Sequence, residues 1–502
     1  MDAYKTVFSE FFNRITKKKR FATATVNSIM NSPKTRGRIL RYLYLLILIL
    51  FVVQSFHISL STKFGIFPDE EYHYSFICYY AHRESLSPFI NKQTDSFRMG
   101  DITRTPSFFY HYTLGLLSKV SPEFFLQDNG VALRIVNMVI VFIAIIFYIK
   151  LLEILTDSIF VKITSLLMLC STQMFVFLSG AINYDNLVFL LSVLSFYLMF
   201  KIIRYFDIMA FLLLVIVWMI GILTKYSFGA IVVAELIVFL MFSRTYFSTL
   251  RRNSNKVIVP KRKLLISILI TTLVILGSLC VERYIGNIVK YRAITPRCDV
   301  LHSYEDCMKN EVFKRGELLN GERISKPDER ISLLRYGANW LELMRERIYG
   351  IMAHKSMPLN RITGLGVTTF SVIGLFAFIR YSFTKELWKD WTLLFIILVY
   401  LFFLFYVQNY KAYLHSGNLA SSVQGRYVFP ILPLVIFLQQ LYTSVLMKWK
   451  VLRYVYLVIF VAVLMPAVSI SYLHFSTPDW YYHFSGFNQH AKDVIGILIA
   501  LL

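Results

Sequence analysis

Long, uninterrupted apolar runs constrain the fold of this chain more than any other feature. Hydrophobic residues make up 56% of its 502 residues and charged residues only 17%, whereas soluble chains carry about 25% charged residues. In lipid, only helices and closed barrels satisfy their backbone groups. Because the runs are continuous rather than alternating, they exclude an outer-membrane barrel as well as a soluble enzyme. The sequence therefore predicts an all-α polytopic membrane protein.

The number of spans follows from the length of each run. A helix needs about 20 apolar residues to cross a bilayer, and on this basis we expect about eleven transmembrane helices. The predicted spans lie near residues 40–59, 131–151, 158–178, 185–201, 207–224, 227–242, 264–284, 365–380, 391–407, 428–447 and 454–473.

Short basic connections predict how these spans are oriented. Lys and Arg cluster before the first span and in the connection 243–263, and smaller groups precede the ninth and eleventh spans. All of these fall on one side, which the positive-inside rule makes cytoplasmic. The N-terminus is then inside, and the loops 60–130 and 285–364 and the tail 474–502 are extracytoplasmic. Apolar residues at helical spacing near 333–348 predict a helix within the second outer loop.

These boundaries divide the chain into five parts. Residues 1–38 form a basic N-terminal segment whose apolar positions from Tyr4 to Ile15 predict an amphipathic helix on the cytoplasmic surface. The transmembrane core covers 39–284, the outer loop or subdomain 285–364, the C-terminal spans 365–473 and the tail 474–502. The net charge of +23 fits this orientation and contact with lipid headgroups; no basic-aromatic module indicates nucleic-acid binding.

An acidic segment follows the first span. Pro68, Asp69, Glu70, Glu71, Tyr72 and His73 are consecutive. A carboxylate at a partly dry interface can act as a general base, and two adjacent carboxylates could hold a divalent cation such as Mg²⁺ or Mn²⁺. Proline followed by acids is also a good start for a helix, so a purely structural role stays open.

Other polar residues lie at the outer ends of later spans. Asp185 could orient a polar substrate or cap a helix. The planar guanidinium of Arg426 could bind phosphate, or its side chain could extend to lipid headgroups. Lys225 could likewise bind phosphate or extend to headgroups. Arg134, at the outer end of the second span, is a weaker candidate, as are Gln424, Tyr427 and His73, which flank the stronger ones.

The predicted orientation places Asp69, Asp185, Lys225 and Arg426 on the same outer face. A carboxylate base beside two cations suits group transfer from a lipid-phosphate donor, because the cations would stabilise the departing phosphate. A donor delivered through the bilayer needs no nucleotide-binding loop, and none appears.

Four motifs carry a resemblance to a known superfamily. The segments are Pro68–His73, Thr105–Tyr110, Ser179–Asp185 and Gln424–Pro430. In this order they resemble the P-D-E-x-x-H, P-P-x-x-Y, S-G-x-x-N-x-D and Q-G-R-Y-x-x-P elements of a predicted bacterial family of the GT-C superfamily of integral-membrane glycosyltransferases. Ser107 replaces the second proline of the second element.

The resemblance implies a GT-C-like fold and a function. It implies a glycosyltransferase of the bacterial plasma membrane that moves a sugar from a polyprenyl-phosphate donor to a glycan or lipid-linked glycan on the outer face, with inversion expected. Asp69 would be the catalytic base, Glu70 and Asp185 would assist it, and Arg426 would bind phosphate. A lipid or polysaccharide flippase and a non-catalytic envelope-assembly subunit are the alternatives.

The outer loop 285–364 matches no element of that family. It contains Cys298 and Cys307, and an oxidising exterior would permit a disulfide between them.

Overall fold

A computed structural model describes residues 33–90, 93–205, 207–253, 263–324, 331–351, 357, 359, 361–381, 388–481 and 484–501. The amphipathic helix predicted from Tyr4 to Ile15 lies outside these residues. The chain consists of two units, 1–50 and 51–502, and the second contains every candidate site residue.

The described part of the chain is helical and forms no β-strand beyond two isolated bridges. Its helices are α1 Pro33–Ser61, α2 Glu70–His82, α3 Phe109–Val120, α4 Pro122–Leu126, α5 Val131–Leu155, α6 Ile159–Cys170, α7 Gln173–Ser179, α8 Tyr184–Tyr205, α9 Ile208–Thr224, α10 Gly229–Asn253, α11 Lys263–Cys280, α12 Gly286–Tyr291, α13 Cys298–Leu301, α14 Tyr304–Cys307, α15 Glu311–Ile324, α16 Leu333–Tyr349, α17 Arg361–Tyr381, α18 Trp388–Phe402, α19 Lys411–Ser416, α20 Leu432–Leu446, α21 Lys450–Phe475 and α22 Ser485–Leu501. Short π-helical segments, Val281–Ile285 and Phe403–Tyr410, extend α11 and α18.

Every predicted span corresponds to one of these helices or helix pairs. By length and hydropathy, six of the described helices can cross a membrane, and a bent pair raises the number to seven. Three further apolar helices are shorter. The all-α membrane fold is therefore confirmed, whereas the count of eleven spans and the inside–outside orientation stay predictions.

The third predicted span is broken. The axes of α6 and α7 differ in direction by 63°, with the break at Ser171 and Thr172. The hydroxyl of Thr172 donates to the carbonyl of Met168 at 2.9 Å, so it satisfies one of the carbonyls left open where α6 ends. The break brings Ser179 and Gly180 against α1, where Ser179 donates to Ser55 at 2.9 Å.

The loop 60–130 packs its helices on the transmembrane core. A buried cluster joins Ile77 of α2, Tyr110 and Leu114 of α3, Leu133 of α5 and Ile182 before α8. Residues from two of the resembling motifs, Tyr110 and Ile182, are therefore held in one apolar core beside the start of α2.

The loop 285–364 is anchored to the loop 60–130. Cys298 and Cys307 form a disulfide with Cα atoms 5.8 Å apart, and its buried sulfurs pack against Phe97. Asn310, just before α15, donates to the carbonyl of Phe97 at 2.8 Å. A second anchor is Arg104, whose Nε donates to Asn287 Oδ1 at 2.9 Å. These contacts fix α15 above the residues that precede α3.

Candidate functional site

Asp69 is the first residue of the site and has an unusual backbone. Its φ of 58° and ψ of 15° place it in the left-handed region, which Asp and Asn tolerate better than most residues. Its carbonyl accepts the amide of His73 at 3.1 Å, which starts α2. The Asp69 side chain is 46% exposed, so the turn that begins α2 also projects a carboxylate outward.

Arg426 connects Asp69 to a second carboxylate. Its Nη2 pairs with Asp69 Oδ2, and its Nε lies 3.3 Å from Asp185 Oδ2. Lys225 Nζ then lies 2.6 Å from Asp185 Oδ1. The four residues form an alternating chain of negative and positive charges whose inner members are buried and whose outer end, Asp69, is open.

Aromatic rings enclose the two cations. Lys225 Nζ lies 4.7 Å from the ring centroid of Tyr184 and 4.3 Å from that of Tyr427. Burial lowers the pKa of Lys225, and the carboxylate of Asp185 partly restores it. Burial opposes the charge of Arg426 as well, but Asp69 and Asp185 outweigh it and raise the pKa of Arg426. Arg426 Nη1 is buried and has no hydrogen-bond partner among the described residues.

Glu70, next to Asp69, is directed away from this chain of charges. It is fully buried and forms a two-point ion pair with Arg134, with Nε–Oε1 and Nη2–Oε2 distances of 2.7 Å each. Arg134 Nη1 also donates to the carbonyls of Ser59 and Thr62. This pair therefore ties the end of α1, the start of α2 and the start of α5 together.

His73 lies one turn into α2 and pairs with a histidine of α3. Its Nδ1 is 2.8 Å from His111 Nε2, and both rings are buried. Burial lowers the pKa of each imidazole, with Arg426 and Lys225 adding to the effect at His73 and His73 adding to it at His111. Both rings are therefore neutral near pH 7, and the cations of the site are Lys225 and Arg426.

Asparagine side chains hold the motif segments in register. Asn183 Nδ2 donates to the carbonyl of Pro68 at 3.0 Å, and its Oδ1 accepts the amide of Asp185 at 2.9 Å. Asn137 accepts the hydroxyl of Tyr110 at 3.0 Å and an amide hydrogen of Asn186 at 3.2 Å. Three of the four motifs therefore form one hydrogen-bonded assembly.

The fourth motif is held by α16. A Cβ atom at Gly425 would collide with the backbone carbonyl of Arg347, so α16 can approach only a glycine here. Arg347 Nη1 in turn donates to the carbonyls of Ala420 and Val423. The carbonyl of Tyr427 accepts the hydroxyl of Tyr400 at 2.8 Å. The backbone on both sides of Arg426 is fixed by these contacts.

Asp69 opens into a cleft of ≈ 630 Å³, within the range of about 300–1,000 Å³ that is usual for small-molecule sites. Its walls are the start of α2 and one face of α15. The lining residues are Asp69, Glu71, Tyr72, Met99, Glu311, Val312, Lys314, Arg315 and Leu318.

A divalent cation was one reading of the acidic segment. In the structure Asp69 and Glu70 are each paired with a guanidinium group. In the described part of the chain, no group of three or more His, Cys, Asp or Glu side chains has the arrangement of a metal site. These residues therefore do not fit a preformed metal site, and a metal requirement stays a prediction.

The structure thus brings Asp69, Asp185, Lys225, Arg426 and Tyr427 together. It places Glu70 with Arg134 and His73 with His111, and the half-buried side chain of Gln424 forms no hydrogen bond among the described residues. The sequence reading missed the α15 side of the cleft. The signal was present, because Glu311, Lys314, Arg315 and Leu318 recur at the spacing of one helix face.

Comparison with known families agrees with the motifs. Residues 108–275 match the family described as dolichyl-phosphate-mannose-protein mannosyltransferase. The chain resembles the GT-C glycosyltransferases. The match supports the resemblance to this superfamily and covers the end of the second motif, the third motif and Lys225, whereas the first and fourth motifs lie outside it. No curated protein sequence gives a significant match.

Among solved structures, the chain is similar to the oligosaccharyltransferase of Archaeoglobus fulgidus. The form tethered with an acceptor peptide has a TM-score of 0.44 and 12% identity over 88% of this chain and 55% of that one. The apo form has a TM-score of 0.42 and 11% identity over 87% and 58%. The complex of AglB with an inhibitory peptide and a dolichol-phosphate has a TM-score of 0.44 and 11% identity over 88% and 58%. The chain spans a little over half the length of these structures.

Proposed function

We propose that the protein is a membrane glycosyltransferase that moves a sugar from a polyprenyl-phosphate donor to a glycan or lipid-linked glycan. The observation that carries the proposal is the solvent-exposed carboxylate of Asp69 at the edge of a cleft. It pairs with Arg426, which also contacts Asp185, and Asp185 pairs with Lys225. The description of the family that matches residues 108–275 names a dolichyl-phosphate sugar donor and supports a donor of this class.

In the proposed reaction, the hydroxyl oxygen of the acceptor attacks the anomeric carbon and the bond from that carbon to the phosphate oxygen breaks. Asp69 accepts the hydroxyl proton, and the electron pair of the broken bond leaves on the lipid phosphate. Direct attack from the side opposite the leaving group inverts the anomeric carbon.

Asp69 is a weak base while Arg426 is paired with it, because a neighbouring cation favours the ionised carboxylate. The donor phosphate would attract Arg426, whose buried Nη1 has no partner among the described residues. When the guanidinium of Arg426 pairs with the phosphate instead of with Asp69, the carboxylate of Asp69 becomes free to act as a base. This exchange occurs only when the leaving group is in place. Lys225 adds a second cation, and both act where negative charge develops.

We assign Glu70 a positioning role in this proposal. Its carboxylate is fully buried and both of its oxygens are bound by Arg134, so it does not reach the cleft. Its ion pair instead fixes the turn that projects Asp69. The active site would face the extracytoplasmic side of a bacterial plasma membrane.

The test uses the native host with the gene deleted and then restored. Wild type, Asp69→Asn and Asp95→Asn are produced at equal membrane levels, and the sugars and linkages of surface glycans are analysed. Asp95→Asn is the control because this carboxylate is exposed and lies outside the cleft. We expect deletion to remove one sugar, and wild type and Asp95→Asn to restore it while Asp69→Asn does not.

Asparagine is the right substitution because it tolerates the left-handed backbone that Asp69 adopts. Full restoration by Asp69→Asn would contradict a catalytic base and favour the flippase or the non-catalytic subunit. Loss of a modification from protein rather than glycan would correct the acceptor class.

A further inference from the structure

One face of α15 presents two cations to the cleft. Glu311, Lys314, Arg315 and Leu318 all line it, at the i, i+3, i+4 and i+7 spacing of neighbouring side chains on a helix. In the described part of the chain, neither Lys314 nor Arg315 lies within ion-pair distance of a carboxylate. By contrast, Glu317 on another face of α15 pairs with Arg297 at 3.3 Å.

The position of this face is fixed by the fold. Asn310 accepts the amide of Phe313 at 3.1 Å and donates to the carbonyl of Phe97 at 2.8 Å, so the start of α15 is capped and anchored at once. Phe313 packs against the disulfide between Cys298 and Cys307. Lys314 and Arg315 follow directly, so the cations are set on an anchored turn of helix.

The ion pairs around the cleft leave the cations of Lys314 and Arg315 available to a ligand. Asp69 is paired with Arg426, which leaves the carboxylates of Glu71 and Glu311 and the cations of α15. Carboxylates and Tyr72 are suited to sugar hydroxyls and sugar rings, whereas Lys and Arg are suited to an oxyanion. The cleft therefore combines groups for a polyhydroxylated ligand with groups for a negative charge.

We propose that this cleft binds an anionic glycan acceptor, with its carboxylate or phosphate group on Lys314 and Arg315 and its reacting hydroxyl at Asp69. The proposal rests on the proposed function and adds the charge class of the acceptor. The lipid phosphate of the donor has the same oxyanion chemistry, so the test includes it as a separate probe. The donor phosphate is instead assigned to Arg426 and Lys225, which lie on the buried side of Asp69.

The test is a binding measurement on the purified full-length protein in lipid nanodiscs. The acceptor probe is tetragalacturonate, its neutral counterpart is the fully methyl-esterified tetramer, and the donor-side probe is undecaprenyl phosphate. The variants are Lys314→Gln/Arg315→Gln, the charge-preserving Lys314→Arg/Arg315→Lys and the control Lys309→Gln. Lys309 is exposed and pairs with Asp306 outside the cleft.

We expect the charged tetramer to bind wild type about tenfold or more tightly than its methyl ester. The glutamine double variant should remove this preference. The charge-preserving variant should retain most of the preference, and Lys309→Gln should retain all of it. Undecaprenyl phosphate should bind wild type and the glutamine variant equally.

Three results would overturn the inference: equal binding of the charged and neutral tetramers, no binding of either at millimolar concentration, or a glutamine variant that loses only undecaprenyl phosphate. None of these depends on sugar transfer. If Asp69→Asn restores the surface glycan while the purified protein still prefers the charged tetramer, the transferase proposal is rejected. The site for an anionic glycan then remains, and an exporter would need such a site.

Discussion

Asp69 and Glu70 are adjacent in the sequence but have opposite environments. Asp69 is 46% exposed on its side chain, whereas Glu70 is fully buried against Arg134. Removing one partner of a buried ion pair leaves an unpaired charge and costs about 3–5 kcal/mol. We expect Glu70→Gln to lower the thermal unfolding midpoint strongly and Asp69→Asn to lower it little.

Scanning unfolding of the two purified variants at one heating rate checks this, with surface-glycan analysis for activity. The expected pattern is a stable, inactive Asp69→Asn and an unstable Glu70→Gln. A stable but inactive Glu70→Gln would return Glu70 to a catalytic role.

Asp101 gives a prediction on pH dependence. It lies in the loop 60–130, accepts the hydroxyl of Thr94 at 2.9 Å, and burial raises its pKa to about 6. The folded state therefore keeps a proton that the unfolded chain loses near pH 4. Its contribution to stability is fully present below about pH 4 and is lost as the pH rises through about 6, by roughly 3 kcal/mol.

The measurement compares the unfolding midpoints of wild type and Asp101→Asn at pH 5 and pH 7.5. We expect the wild type to fall relative to the variant at the higher pH, because asparagine carries no charge at either pH. Parallel behaviour of the two proteins would show that Asp101 is not perturbed.

Sequence reasoning identified the residues of the charge chain but not their pairing. Asp69, Asp185, Lys225 and Arg426 were placed on one face by counting spans, which requires no tertiary contacts. The partner of Arg134 could not be inferred, because its pair with Glu70 joins residues 64 positions apart. Two adjacent carboxylates look equivalent in sequence, and only the direction of the turn at Asp69 separates them.

At the scale of elements, substitution of Gly425 tests whether its contact with α16 positions Arg426. A Cβ at this position meets the backbone of Arg347 and Ile348, and backbone atoms cannot rotate away as a side chain can. We expect Gly425→Ala to reduce the free energy of unfolding by about 1–3 kcal/mol and so to lower the thermal midpoint. In the complementation experiment this variant should not restore the sugar to the surface glycan.

Gly486→Ala is the matched control, because nothing lies within 4 Å of a Cβ built there. It should leave both the thermal midpoint and the surface glycan unchanged. If Gly425→Ala behaves like the control, α16 does not position Arg426.

The disulfide gives a second prediction for an element. Cross-links of this kind contribute about 2–4 kcal/mol, and here the bond supports the anchored start of α15. We expect Cys298→Ser/Cys307→Ser to be cleaved faster by trypsin at Lys309, Lys314 and Arg315 than wild type. Mass spectrometry of timed digests measures the rates, and Cys78→Ser is the control.

The helices themselves were largely predictable. Hydropathy located each predicted span, because a run of apolar residues in lipid has no better structure than a helix. The break between α6 and α7 was missed because Ser171 and Thr172 are too short an interruption to change a hydropathy window. The role of α15 was missed because the spacing of its residues marks a shared helix face but does not identify the surface that this face covers.

At the scale of the whole molecule, the predicted orientation can be tested directly. Glu123 lies in the loop 60–130 and Trp449 lies between α20 and α21, and both side chains are exposed. In a background with Cys78, Cys170 and Cys280 replaced by Ala, we expect a membrane-impermeant maleimide to label Glu123→Cys on intact spheroplasts. Trp449→Cys should be labelled only after the membrane is opened, and the reverse pattern would invert the topology.

The cleft above Asp69 also imposes an order on biogenesis. Asn310 and its acceptor Phe97 are 213 residues apart, and Asp69 precedes both. A growing chain thus contains the carboxylate of Asp69 long before α15 has been synthesised. Until the later loop has packed on the earlier one, the cleft beside Asp69 lacks its α15 wall, so the acceptor binding that we propose would begin only after both loops have assembled.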